Sequence, residues 1–180
     1  MDNSNKIAIF ANGCFWCTEA VFSMLNGVKT VLPGYTGGKT ENPSYDSVSG
    51  GNTGHAEAIK IEYDPAIISY DDLLSVFFNT HDPTTLNRQG HDIGSQYRSA
   101  IFYIDDEQRD KAENLIKELN QNKAYDNPVV TEVKKLDKFY ESEDYHKKYY
   151  ENNPNQLYCQ LVIAPKLAKL QERFGKLIKK

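Results

Sequence analysis

The chain reads as a β-sheet with helices packed on it. Segments with two-residue apolar alternation or short apolar runs take turns with segments of 3.6-residue periodicity. The 180 residues, 39% hydrophobic and 26% charged, have the size and composition of one globular domain spanning the whole chain, 1–180. No internal repeat or low-complexity linker interrupts the pattern.

The elements follow in order. Ile7-Ala8-Ile9-Phe10 is a short apolar strand. It leads into Gly13-Cys14-Phe15-Trp16-Cys17, and from there Cys17, Ala20, Val21, Met24 and Leu25 share one helical face, with Asn26-Gly27 as the stop. A strand is expected over residues 28–32. The polar stretch 34–55 holds six of the chain's 11 glycines and reads as a long functional loop. Residues 57–63 alternate, with Ile59, Ile61 and Tyr63 on the buried face. Glu57 shares that face, so its carboxyl should be partly desolvated and its pKa raised. A helix is expected over 69–78, a second polar loop over 80–96, and a central strand over 98–104. Asp105 or Asp106 then caps a helix with the stripe Ala112, Leu115, Ile116 and Leu119. Residues 129–133 suit a strand. Pro165 opens a final helix carrying Leu167, Leu170, Phe174 and Leu177.

The net charge of −4 gives no general attraction to nucleic acid or anionic membrane. The start of the chain is polar and no apolar run reaches membrane-spanning length, so neither a signal peptide nor an anchor is expected. Three cysteines are too few for a disulfide framework, and working thiols in a reducing cytoplasm fit better. A monomer is expected.

Cys14 and Cys17 form a C-x-x-C at the junction of strand and helix. Free backbone N–H groups and the helix dipole there favour a thiolate, which makes Cys14 a candidate nucleophile. Cys17 lies on the apolar stripe and equally suits simple burial. A zinc site would need a histidine as its fourth ligand, and none has typical spacing. Gly37-Gly38-Lys39-Thr40 imitates a phosphate-binding loop but lacks the earlier glycine and the following helix. Tyr35, Tyr45 and Tyr97 lie in the polar stretches, and the glycines around Tyr35 would let backbone approach a ligand. His55 suits a hydrogen-bonded loop residue, and His146 suits a solvated helix face.

Several segments together resemble one family. Gly13-Cys14-Phe15-Trp16, Gly34-Tyr35-Thr36-Gly37-Gly38, Asn42-Pro43-Ser44-Tyr45, Gly54-His55-Ala56-Glu57, Asp92-Ile93-Gly94-Ser95-Gln96-Tyr97-Arg98-Ser99 and the tail Asn153-Pro154-Asn155-Gln156-Leu157-Tyr158-Cys159 are similar, in order, to the signature segments of the A-type peptide methionine sulfoxide reductases. The resemblance implies a two-layer, ferredoxin-like α+β core with long coil segments. It implies reduction of the S epimer of methionine sulfoxide, with no bound cofactor and with thioredoxin as external reductant. It matches Cys14 to the nucleophile, and Phe15 and Trp16 to the apolar wall around the S-methyl group. Glu57 matches the acid that protonates the sulfoxide oxygen, Tyr35 and Tyr97 the hydroxyls that bind that oxygen, and Asp92 a supporting pocket residue.

Elementary chemistry agrees with such a reaction. The sulfoxide oxygen leaves poorly, so attack at sulfur needs protonation at oxygen, which a desolvated Glu57 can supply. Two phenols can orient the oxygen as charge builds. Cys14 would end as a sulfenic acid that condenses with a nearby thiol. Cys17 and Cys159 are both available. The tail resembles the family's resolving segment, so Cys159 is favoured, swinging in from a polar tail, with Cys17 as alternative or intermediate partner.

Overall fold

Phe10 is the hub of the fold. It lies in β1 (Lys6–Asn12), and its ring meets Phe22 at 5.6 Å, Phe77 at 5.0 Å and Tyr70 at 6.0 Å between centroids. The computed structural model describes residues 4–180, so the first three residues of the polar start lie outside the described residues.

β1 is followed by α1 (Phe15–Ser23), β2 (Val28–Thr36), α2 (Tyr45–Ser49), β3 (Ala56–Tyr63) and α3 (Tyr70–Asn79). A two-residue hairpin, β4 (Arg88–Gln89) and β5 (Asp92–Ile93), precedes β6 (Ser99–Tyr103) and α4 (Asp106–Gln121). β7 (Glu132–Lys135), β8 (Phe139–Glu141), α5 (Tyr149–Asn152) and α6 (Ala164–Phe174) complete the chain. The main sheet has six strands in the order β7-β6-β1-β3-β2-β8. All neighbours are antiparallel except β6 and β7.

β1 and β3 are central, which is why both are buried on two faces over much of their length. On one face Phe10, Ile59, Ile61 and Ile101 meet the apolar sides of α1, α3 and α4. On the other, Ile9, Ala11, Ala56, Ala58, Ala100 and Phe102 form a thinner layer closed by Leu136 and Phe139. α3 begins in a capping box, Ser69 with Asp72, and Asp105 caps α4 by accepting from Gln108 N–H at 2.8 Å.

Several expectations are corrected. The strand expected over 28–32 continues to Thr36 because β3 pairs with it along its whole length and β8 pairs with its end. The stretch read as one loop therefore contributes a strand end and a capped turn of helix, α2. The strand expected over 129–133 forms at Glu132–Lys135, where β6 provides partners, Ala100 opposite Glu132 and Tyr103 opposite Lys135. Upstream of it, Val130 N–H is held by Pro83 C=O at 2.8 Å instead. β8, three residues long, carries no periodic signal and was not expected. The residues before Pro165 are also helical, a π-helical turn over Cys159–Ile163 leading directly into α6. A wider turn suits a proline, which has no N–H to donate and whose ring crowds the preceding turn.

Phe10→Ala should destabilise the protein by about 3–5 kcal/mol, since it opens a cavity between the central strand and two helices. Chemical denaturation followed by far-UV circular dichroism measures this, and a loss under about 1 kcal/mol would contradict the hub role.

Candidate active site

The start of α1 faces the head of β3. Phe15 N–H donates to Glu57 Oε2 at 3.0 Å, a buried contact between the residue after Cys14 and the acid of the core-facing row. Glu57 is 2% exposed. Burial raises its pKa to about 8, with the nearby Asp92 and Cys17 adding to the rise and the Phe15 N–H opposing it. The carboxyl is thus mainly protonated at neutral pH, as its strand parity led one to expect.

Cys14 behaves differently from expectation. It occupies the N-cap position of α1, yet its side chain accepts none of the helix's free N–H groups. The first of them serves Glu57 instead. Burial pushes the Cys14 thiol well above its ordinary range, with the hydrogen bond to Cys17 and the charge of Glu57 adding to the rise. Cys17 is held below its own ordinary range by that same hydrogen bond from Cys14. In the free enzyme the pair's negative charge therefore favours Cys17.

Tyr158, which sequence reasoning passed over, links the thiols to Asp92. Its hydroxyl donates to Asp92 Oδ2 at 3.0 Å and lies 3.5 Å from Cys17 Sγ. Cys159 is buried in the same cluster as Cys17, Cys14 and Trp16. All three cysteines are free. The structure holds Cys159 inside a helical turn beside Cys17, which corrects the picture of a polar tail swinging in from outside.

The aromatic side of the site is built from distant segments. Tyr35 stands opposite Glu57 across the β2–β3 pair. Its hydroxyl donates to Glu143 Oε2 at 2.7 Å, and Tyr45 N–H donates to Glu143 Oε1 at 2.8 Å. Phe15 is buried 5.7 Å from the Tyr35 ring and 4.9 Å from the His146 ring. Trp16 stacks on Tyr149 at 3.7 Å and donates its indole N–H to His146 Nδ1 at 3.0 Å. His146 is 0% exposed, and the reading of a solvated helix face is overturned. It lies in a 3-10 turn whose side chain points among aromatic rings, where a helical wheel has no meaning. Tyr97 is half-buried, within reach of the charges of Glu57, Tyr45, Cys14 and Asp92, and its pKa is raised by burial first.

The glycines of the 34–38 segment make room for protein rather than ligand. A Cβ on Gly34 would stand 2.3 Å from Tyr140 C=O, and one on Gly38 would stand 2.3 Å from His55 N. His55 is a buried, hydrogen-bonded loop residue, accepting from Gly38 N–H at 3.0 Å and bonded to Thr40 C=O at 2.7 Å. Arg98 ties the loops together by donating to Ser95 C=O at 2.9 Å and Gly54 C=O at 3.0 Å, which fixes Tyr97 between them. A cavity of about 680 Å³ runs along α1 and β2 past Ala20, Met24, Val31 and Leu167, and holds none of the residues expected to act.

Paired thiols beside a protonated buried acid are the equipment of a thiol-based oxidoreductase. Residues 6–178 match the family model described as peptide methionine sulfoxide reductase. The chain is 54% identical over 95% of its length to the peptide methionine sulfoxide reductase MsrA of Chromobacterium violaceum, covering 97% of that protein. It is 55% identical over 93% of its length to that of Deinococcus radiodurans, covering 82%. The reduced form of Mxr1 from Saccharomyces cerevisiae superposes with a TM-score of 0.81 at 34% identity, over 88% of this chain and 91% of that one. The chain belongs to the peptide methionine sulfoxide reductase family, and it is an oxidoreductase that reduces methionine sulfoxide.

Glu57 also makes stability pH-dependent. Its folded pKa lies above its unfolded one, so its contribution is full below about pH 4.5 and is lost as pH rises through about 8. Glu57→Gln keeps an acceptor for Phe15 N–H and has no charge to bury. The variant should therefore exceed the parent in stability above pH 8, by on the order of 2–4 kcal/mol. Urea midpoints at pH 6 and pH 9 check this, and an equal gap at both pH values would count against a buried, protonated Glu57.

Proposed function

We propose that the chain reduces the S epimer of methionine sulfoxide, peptidyl and free, through a sulfenic acid on Cys14. The protonated Glu57, hydrogen-bonded to the N–H next to Cys14, is the observation that carries the reading. As the Cys14 sulfur attacks the sulfoxide sulfur, the Glu57 proton passes to the oxygen. Cys17, in hydrogen-bond contact with Cys14 and holding the pair's charge, takes the Cys14 proton. The S–O bond then breaks and the oxygen leaves as hydroxide. A water adds to the Cys14 sulfur, giving its proton to that hydroxide, and the new S–S bond breaks to release the thioether and leave Cys14 as sulfenic acid.

Tyr97 binds the sulfoxide oxygen, and Tyr35 does so once its proton turns from Glu143. Phe15 and Trp16 hold the S-methyl group, and Asp92 supports the site by accepting from Tyr158. With methyl and oxygen held on opposite sides, only one epimer presents sulfur to Cys14.

The sulfenic acid condenses with Cys17, releasing water, and exchange passes the disulfide to Cys159, which packs against Cys17. Thioredoxin is the external dithiol that reduces it. Mxr1, the yeast neighbour, has been solved in complex with Trx2. The protein works as a monomeric single domain repairing oxidised proteins in a reducing cytoplasm. A cysteine count too low for a disulfide framework supports the compartment. The strand order β6-β1-β3-β2, with α1 and α3 as crossovers, supports a ferredoxin-like core.

Mass spectrometry after mixing the reduced protein with a methionine sulfoxide peptide tests the reading. Stoichiometric methionine and a loss of two hydrogens from the protein are expected, and Cys14→Ser should abolish both while remaining folded. Methionine release by Cys14→Ser would sink the assignment. Glu57→Gln should slow the single-turnover step by about 10²–10⁴-fold. In the parent, that rate should fall as pH rises past about 8, where Glu57 loses its proton. A rate that stays flat to pH 10 would place the proton elsewhere. Cys159→Ser should keep one turnover, stop at a Cys14–Cys17 disulfide and turn over slowly with thioredoxin. Cys17→Ser should accumulate sulfenic acid. Normal cycling in either variant would break the proposed relay at that residue.

A further inference from the structure

We propose that His146 is a positioning residue for the reduction, holding Trp16 in place as the pocket wall by accepting its indole N–H. The inference rests on the reading above, in which Trp16 faces the substrate's methyl group.

Trp16 is fixed by three contacts of different kinds. Tyr149 covers its face, with the rings 6° from parallel. Tyr158 meets it edge-on at 5.9 Å between centroids. Neither contact by itself fixes the orientation of the indole about its Cβ–Cγ bond, because a 180° turn there leaves the ring in the same plane. The hydrogen bond to His146 Nδ1, 3.0 Å long, does set it.

An indole N–H can only donate, so Nδ1 is the unprotonated nitrogen and the proton sits on Nε2. Nε2 has no hydrogen-bond partner among the described residues, and the nearest carboxylate oxygen, Glu143 Oε2, is 3.9 Å away. That carboxylate favours the tautomer with hydrogen on Nε2, the one that leaves Nδ1 free to accept. Phe15 and Trp16 from α1, Tyr45 from α2, and Glu143 and Tyr145 from its own segment surround the ring. Burial among them lowers the histidine's pKa and keeps it neutral, which preserves the acceptor. The same Glu143 accepts from Tyr35, so one carboxylate sets both the methyl wall and the oxygen side of the site.

Trp16 is the chain's one tryptophan, so its fluorescence reports this contact without reference to turnover. His146→Phe keeps a ring of similar size and removes the acceptor. His146→Asn loses the ring and places an amide oxygen near the Nδ1 position. His146→Phe should change the emission of Trp16 and raise KM for a methionine sulfoxide peptide about tenfold, the scale of one buried hydrogen bond. The saturated single-turnover rate should stay within about threefold. His146→Asn should lie nearer the parent in both measurements. Trp16→Phe removes the donor from the other side, and joined to His146→Phe it should raise KM no further than the larger single effect.

A KM ranking in which Phe is tolerated and Asn is not would reduce His146 to packing and overturn the proposal. So would additive effects in the double variant, or an altered emission with unchanged KM. Failure of the parent protein to form methionine would be failure of the underlying reading, and the emission changes would still stand.

Discussion

The contact between Phe15 N–H and Glu57 is the constraint on which the site depends. It joins the first free amide of a helix to a carboxyl in the middle of a sheet, and it does so beside the candidate nucleophile. A helix start has unpaired N–H groups that must be satisfied, and a buried acid needs at least one partner. Each meets the other's need here. The consequence is chemical: the acid is kept neutral by its surroundings, and the thiol next to it is deprived of the amide that would have stabilised its charge.

That arrangement distributes protons in a way suited to attack on a sulfoxide. The acid holds a proton beside Cys14, as the proposed protonation of oxygen requires. The hydrogen bond with Cys14 lowers the pKa of Cys17, so charge on the thiol pair favours Cys17. A permanently ionised Cys14 beside an ionised Glu57 would repel it, and the carboxylate would have no proton to deliver. Tyr158 joins this network from the far end of the chain, bonding Asp92 and approaching Cys17 at once, so the tail that carries Cys159 is also part of the wall.

The aromatic half of the site rests on Glu143 and His146, which come from a segment with almost no regular structure. Glu143 gathers Tyr35 and Tyr45, and His146 holds Trp16. Their segment is anchored where β8 pairs with the end of β2, at Gly34–Thr36. Gly34 permits that pairing because any side chain there would collide with Tyr140.

Much of this was legible in the order of residues alone. Periodicity placed Ile59, Ile61 and Tyr63 on a buried row and put Glu57 in it, because a strand's side chains alternate whatever surrounds them. The cap of α4 was readable as Asp105 or Asp106 for the same local reason, and the structure selects Asp105. The motifs from Gly13 to Cys17 and from Gly54 to Glu57 singled out two segments that the fold brings into contact. What local pattern could not supply is who meets whom. That Phe15 N–H serves Glu57 and not Cys14, that His146 lies buried against Trp16 from 130 residues away, and that Cys159 sits beside Cys17 are products of strand order and packing. Periodicity and capping act over a few residues of chain, whereas the pKa of a buried group and the partner of a hydrogen bond depend on neighbours that only the folded sheet brings together.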